Sequence, residues 1–272
     1  MKRRCFSAAI LCFSVLAFAF GGGQKNAPSG NLTIEVGGST SVSPLMELLA
    51  DEYQKSNPGI RININGTGSS DGIKNAGVMY QIGMSSRELT PAEQGQGLKE
   101  VIIAIDGIAV IVHNSNPLSG LTVDQIRDIF TGAITDWSQI TGGAKQGRIA
   151  IVSREEGSGT RSAFEEIIGM TDNLVRGAGE FTSTGAIKAG IAQNPDAIGY
   201  ISLGSVDNTV KAIAIDTVAA TNANVVNGSY KIARPFILLT GSNVHSESTI
   251  FADWILSPAG QDIVRISYIA IK

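Results

Sequence analysis

Cysteine is almost missing from this chain of 272 residues: there are two, Cys5 and Cys12, and none after residue 12. Disulfides and thiolate metal sites are therefore excluded from nearly the whole length. Histidine is as scarce, with His113 and His245 alone, and no H-E-x-x-H stretch or Cys cluster suggests a metal centre. The paired carboxylates Asp51-Glu52 and Glu165-Glu166 read as solvated helix faces. No G-x-x-x-x-G-K segment occurs, which removes a P-loop kinase. Basic excess is lacking too: 21 Lys and Arg stand against 24 Asp and Glu, so there is no electrostatic footprint for nucleic acid. No repeat with a period of roughly 20–50 residues is found, which argues against a solenoid.

What is there suits one large or two mid-sized domains with a proper core, since 43% of the residues are hydrophobic and 17% charged. The first 30 residues hold Lys2, Arg3, Arg4 and Lys25 and no acid, leaving 17 basic against 24 acidic residues beyond them, a net of −7. A charged start, an apolar run over 5–20 and the small-residue site Ala17-Phe18-Ala19 read as a secretory signal peptide. The run is shorter than the ~20 residues a spanning helix needs. Residues 21–30, with Gly21-Gly22-Gly23, read as a flexible leader. Lipid anchoring would need a cysteine directly after the signal, where these glycines stand. The expectation is an exported protein, periplasmic or otherwise extracytoplasmic, with an atypical lipoprotein as the alternative.

From residue 32 onward short apolar runs alternate with amphipathic stretches, which predicts α/β architecture. Strands are expected over 32–36, 60–64, 101–105, 107–112, 149–152, 198–201 and 235–240. Helices are expected from Pro44, near 71–77, after the Thr122/Gln125 capping box, around Phe164, over 184–193, and over 246–256 with Pro258 as the stop.

Three loops share one composition and context: Gly37-Gly38-Ser39-Thr40-Ser41-Val42-Ser43, Gly66-Thr67-Gly68-Ser69-Ser70 and Gly157-Ser158-Gly159-Thr160. Each follows a predicted strand and opens a predicted helix. Glycine allows close backbone approach, hydroxyls donate, and helix N-termini leave free N–H groups, which together make an anion site. Arg154, three residues before the third loop, either makes a bidentate contact with a tetrahedral oxyanion or pairs with Glu155 or Glu156. Three helix N-termini at about +0.5 each plus one arginine amount to roughly +2.5, enough for a dianion without a metal.

The order Gly-Ser-Thr-Ser-x-Ser-Pro (38–44), Gly-x-Gly-Ser-Ser-x-Gly (66–72), Ile-Gly-Met-Ser-Ser-Arg (82–87) and Arg-x-x-Gly-Ser-Gly-Thr-Arg (154–161) resembles the phosphate-binding component of bacterial phosphate ABC importers. Residues 121–137 resemble the same family. The resemblance implies a two-lobed periplasmic-binding-protein fold of type II, with mixed-sheet α/β lobes over 31–110 plus 236–272 and over 111–235. The lobes would cross at 107–113 and near Arg234-Pro235 and close on one phosphate ion. It implies contacts from Thr40, Ser41 and Ser69 on one side and from Arg154, Ser158, Gly159 and Thr160 on the other. An aromatic residue stands at the Ser41 position in long members, so backbone donation is expected there. Ser86 occupies a position where long members carry an aspartate that accepts the proton of HPO₄²⁻ and repels sulfate. A hydroxyl enforces that discrimination less, with Asp71 as a substitute acceptor or a helix cap, and Arg87 facing either the ligand or a nearby acid. The further implications are a monomer, a membrane permease as partner, no cofactor, and no enzymatic activity.

Two other readings fit parts of the sequence. Sulfate, molybdate or tungstate would suit the same loops. Gly68-Ser69-Ser70-Asp71-Gly72 matches the G-x-S-x-G of a serine hydrolase, with Ser70 as nucleophile and one of the two histidines as base.

Overall fold

The computed structural model describes residues 32–242 and 244–271; the expected signal peptide and leader lie outside them. Alternating apolar residues form the parallel strands β1 (Leu32–Gly38) and β2 (Ile60–Gly66), joined by α1 (Ser43–Ser56), which carries Pro44 in its first turn. A short helix α2 (Ser69–Asn75) leads to β3 (Ile82–Ser85), also parallel to β1. After α3 (Pro91–Gln94) comes the long strand β4 (Lys99–Val112). Next are β5 (Gly120–Leu121), α4 (Val123–Thr131), α5 (Ser138–Thr141), β6 (Ala150–Arg154) and α6 (Gly159–Ile167). Then follow β7 (Gly179–Phe181), α7 (Thr184–Gln193), β8 (Ala197–Ser202), β9 (Lys211–Ala212) and β10 (Ala214–Ile215). The chain closes through α8 (Asn222–Val226), β11 (Ala233–Thr240), α9 (Ser246–Ile255) and α10 (Pro258–Val264).

Register decides where the loops go. Gly38 pairs with Gly66 and with Met84, so β1, β2 and β3 end side by side. β11 runs antiparallel to β3 and then to the first half of β4, with Arg234 opposite Asp106 and Ala233 opposite Gly107. The second half of β4 pairs antiparallel with β8, Ile108 opposite Ser202, and β6 and β7 add parallel to β8. The strand order β2-β1-β3-β11-β4-β8-β6-β7 makes a mixed, curled sheet. Within it the carboxyl ends of β1–β3 and of β6–β8 point at the middle of β4 from opposite directions. That is the edge at which open α/β sheets gather ligands.

β4 also divides the core. Ile103 and Ala104 pack with Ile34, Val36, Leu45, Leu49, Phe236 and Phe251, whereas Ile108, Val110 and Val112 pack with Ile126, Ile129, Phe130, Trp137 and Phe164. Ala109 and Ile111, on the other face of the same strand, meet Ile187, Ile191 and Ile201. The second half of β4, Ile108 to Val112, is thus buried on both faces and is a continuous apolar run.

Two expectations need correction. The sequence reading splits 101–112 at Asp106-Gly107, yet β4 is continuous. Asp106 is satisfied by Arg234 across the ladder at 3.1 Å, and Gly107 leaves room for Leu203 and Val225, which would lie 3.0 and 3.2 Å from a Cβ there. Pro258 does more than stop α9. It opens α10, whose cap Ser257 accepts from the Gly260 N–H. The Thr122/Gln125 capping box forms in both directions.

At Gly72, α2 meets β1 and β3 backbone to backbone, with no side chain between them. A Cβ on Gly72 would lie 2.6 Å from the Met84 carbonyl oxygen, 2.7 Å from Gly38 Cα and 2.8 Å from the Gly37 oxygen. At an open helical position Gly→Ala stabilises by about 0.5–1 kcal/mol. Here the neighbours are backbone atoms, and overpacking wins: Gly72→Ala should destabilise by about 1–3 kcal/mol in urea unfolding. A gain in stability would show that α2 can lift off the sheet freely.

Candidate functional site

The converging strand ends bring side chains from distant stretches into contact. Ser41 Oγ lies 2.7 Å from Thr160 Oγ1 and 2.9 Å from Thr184 Oγ1. Ser86 Oγ receives a bond from Ser39 Oγ at 2.9 Å and stands 3.3 Å from Ser69 Oγ and 3.4 Å from Thr160 Oγ1. Ser69 Oγ accepts from the Ser86 N–H, and Thr40 Oγ1 from the Thr184 N–H. Ser39, Ser41, Ser69, Ser86, Thr160 and Thr184 are all buried. Buried hydroxyls without partners are costly, and these satisfy one another.

Close approach depends on one glycine in particular. A Cβ on Gly159 would lie 2.3 Å from Ser69 Oγ and 2.9 Å from Ser86 Oγ. The backbone meets there as well, the Ser70 N–H donating to the Gly157 carbonyl at 3.1 Å. Phe164 of α6 stacks on Tyr200 of β8 at 4.0 Å and ties that helix to the sheet. Ser158 caps α6 by accepting from the Arg161 N–H, so its hydroxyl faces its own helix rather than the cluster.

Arg154 takes the second of its two alternatives, pairing with Glu155, and still reaches the hydroxyls with one nitrogen. Its Nε and Nη2 bind Glu155 at 2.8 and 2.7 Å, while Nη1 donates to Thr184 Oγ1 at 3.3 Å. Arg87 instead forms a bidentate pair with Glu93 and also donates to Ser70 Oγ. Asp71 accepts from Asn75 and Tyr80, which removes it as an acceptor facing the hydroxyls. Among the described residues neither histidine bonds to Ser70, and His113 is held by Ser115, so the hydrolase arrangement does not form there.

Two residues of the cluster escaped sequence reading. Thr184 looks like the start of a helix, but Ser183 does the capping and leaves the Thr184 hydroxyl free to face Ser41. In the sequence Arg234 reads as part of a crossing segment. It is buried, its Nη1 donating to Asp106 Oδ2 at 3.1 Å and its Nη2 to Thr160 Oγ1 at 3.0 Å. Burial pushes the Asp106 carboxyl up to about 6, outweighing the pull of Arg234.

The hydrogen bonds from Arg87 hold the Glu93 carboxyl down at about 2. A depressed carboxyl contributes stability that is present above its unfolded value of about 4.3 and is lost as pH falls toward 2. Glu93→Gln should therefore flatten the fall of Tm between those two pH values. An identical acid limb in wild type and variant would mean that the pair does not hold the folded state.

Residues 23–259 match the PBP superfamily domain. The phosphate-binding protein PstS of Bacillus subtilis is 31% identical over 215 residues, covering 77% of this chain and 69% of that protein. The PstS of Borreliella burgdorferi is 28% identical over 245 residues, 85% of this chain and 87% of that one. Among solved structures, a substrate-binding protein of Clostridium perfringens, assigned to a phosphate ABC transporter and carrying bound phosphate, superposes with a TM-score of 0.85. It is 46% identical and covers 88% of this chain and 100% of its own. An ABC-type phosphate transport receptor of Vibrio cholerae follows at a TM-score of 0.71 and 35% identity, with 87% and 99% covered. The β4-centred mixed sheet, the hydroxyl-lined strand ends and these likenesses agree: the chain belongs to the PBP superfamily and, within it, to the PstS family of phosphate-binding proteins.

Proposed function

We propose that this protein is an extracytoplasmic solute-binding protein that captures inorganic phosphate and hands it to an ABC importer. The observation that carries the reading is the meeting of Ser41, Ser69 and Ser86 with Thr160 in one buried cluster. Neutral donors of this kind suit a small multivalent anion, because they hydrogen-bond its oxygens without fixed countercharges that would have to be desolvated. The N-termini of α1, α6 and α7 add about +1.5 in total at that place.

Phosphate would be held by Thr40, Ser41, Ser69 and Ser86 from one lobe, 31–110 plus 236–272. Arg154, Gly159 and Thr160 would hold it from the other, 111–235, with Ser158 capping the helix that begins at Gly159. A ligand touching both lobes favours their closed arrangement, and the permease would read that arrangement. The protein acts as an exported monomer that changes no bond in its cargo. Among the described residues no helix is long and apolar enough to cross a membrane. The net −7 beyond the leader does not oppose anion capture, since surface charges are screened beyond ~8 Å at physiological salt.

Calorimetric titration should show phosphate binding and a raised Tm. Arg154→Ala should weaken that binding by about 2–4 kcal/mol, as loss of a buried charge-assisted contact does. Unchanged affinity would remove Arg154 from the site. With a hydroxyl at Ser86 and Asp71 turned toward Tyr80, sulfate should compete measurably for the same site. Strict rejection of sulfate would require an acceptor elsewhere.

A further inference from the structure

Arg154 and Arg234 approach the hydroxyl cluster from two sides and in different electrostatic states. Arg154 gives two of its three nitrogens to Glu155, a bidentate pairing that offsets its charge. Arg234 meets its carboxylate through one nitrogen only, at 3.1 Å, and among the described residues its buried Nε–H has no hydrogen-bond partner. Its third nitrogen is spent on Thr160 Oγ1 at 3.0 Å. The result is a continuous chain of contacts, Arg154 Nη1 to Thr184, Thr184 to Ser41, Ser41 to Thr160 and Thr160 to Arg234 Nη2. A guanidinium with a 2% exposed side chain and a one-point partner is an incompletely compensated buried charge. Asp106, opposite it in register on β4, holds it in place without covering the edge that faces Thr160.

We propose that Arg234 is the second cationic contact of the bound anion, its Nη2–H passing from Thr160 to an anion oxygen while Nη1 stays on Asp106. This rests on the phosphate reading above. Arg234 then sets a preference for the more highly charged tetrahedral ion. It also supplies from β11 what the cluster lacks, since every other side chain in the contact chain apart from Arg154 is a neutral hydroxyl. Sequence position alone gives no hint of this, because Arg234 lies 74 residues from Thr160 and 128 from Asp106.

The test is calorimetric titration of inorganic phosphate into the full chain as wild type, R234K, R234M and D106N, with the ligand-free Tm of each. R234M should bind about 10- to 100-fold more weakly, the range for a lost charged hydrogen bond. R234K should recover part of that loss. D106N should bind phosphate more tightly than wild type even though its Tm falls, because the cation is no longer offset. A merely structural pair would weaken binding in step with Tm in both R234M and D106N. That parallel, or an R234M variant that binds like wild type, would overturn the assignment. Absence of phosphate binding by wild type would instead overturn the reading beneath it.

Discussion

The contact between Ser41 and Thr160, 119 residues apart in sequence, is the constraint on which the rest of the structure turns. It requires the carboxyl ends of two separate strand groups to face one another. That follows from β4, paired along its first half with β11 and along its second half with β8. It also requires backbones to approach without intervening side chains, which explains glycine at 72 and 159, where a Cβ would come within 3 Å of the opposite stretch. Packing and site geometry are therefore one problem: the glycines that let α2 sit on β1 and β3 also bring Ser69 against Ser86.

The electrostatic design is economical. Full charges are kept at the rim of the cluster and paired there, Arg154 with Glu155, Arg234 with Asp106 and Arg87 with Glu93. The centre is made of hydroxyls that both donate and accept, so each can partner another hydroxyl or an oxyanion's oxygen without changing its own charge. Asp106 shows the cost of burying such a pair: burial raises it toward neutrality despite a direct arginine partner.

Much of this was legible in the sequence because its signals are local. Periodicity located most strands and helices, Thr122 and Gln125 announced α4, and the predicted bounds of 184–193 are those of α7. The Gly/Ser loops pointed to Thr40, Ser41, Ser69 and Thr160, which the strand ends bring together, because a strand–loop–helix transition places such hydroxyls in adjacent residues. What escaped was fixed by register and long-range pairing. Asp106 looked like a turn before Gly107, and Arg234 like the start of a strand before Pro235; only their opposition in the β4–β11 ladder makes them a buried pair. Thr184 escaped because either it or Ser183 could cap α7, and the choice is made in three dimensions.

The central claim, that the hydroxyls meeting at the middle of β4 enclose one tetrahedral anion, is tested most directly by a crystal structure of the protein grown with phosphate. The account predicts one phosphate among Ser41, Ser69, Ser86 and Thr160, with the Ser41–Thr160 contact replaced by bonds to its oxygens. A phosphate bound elsewhere, with that contact intact at its present 2.7 Å, would contradict it.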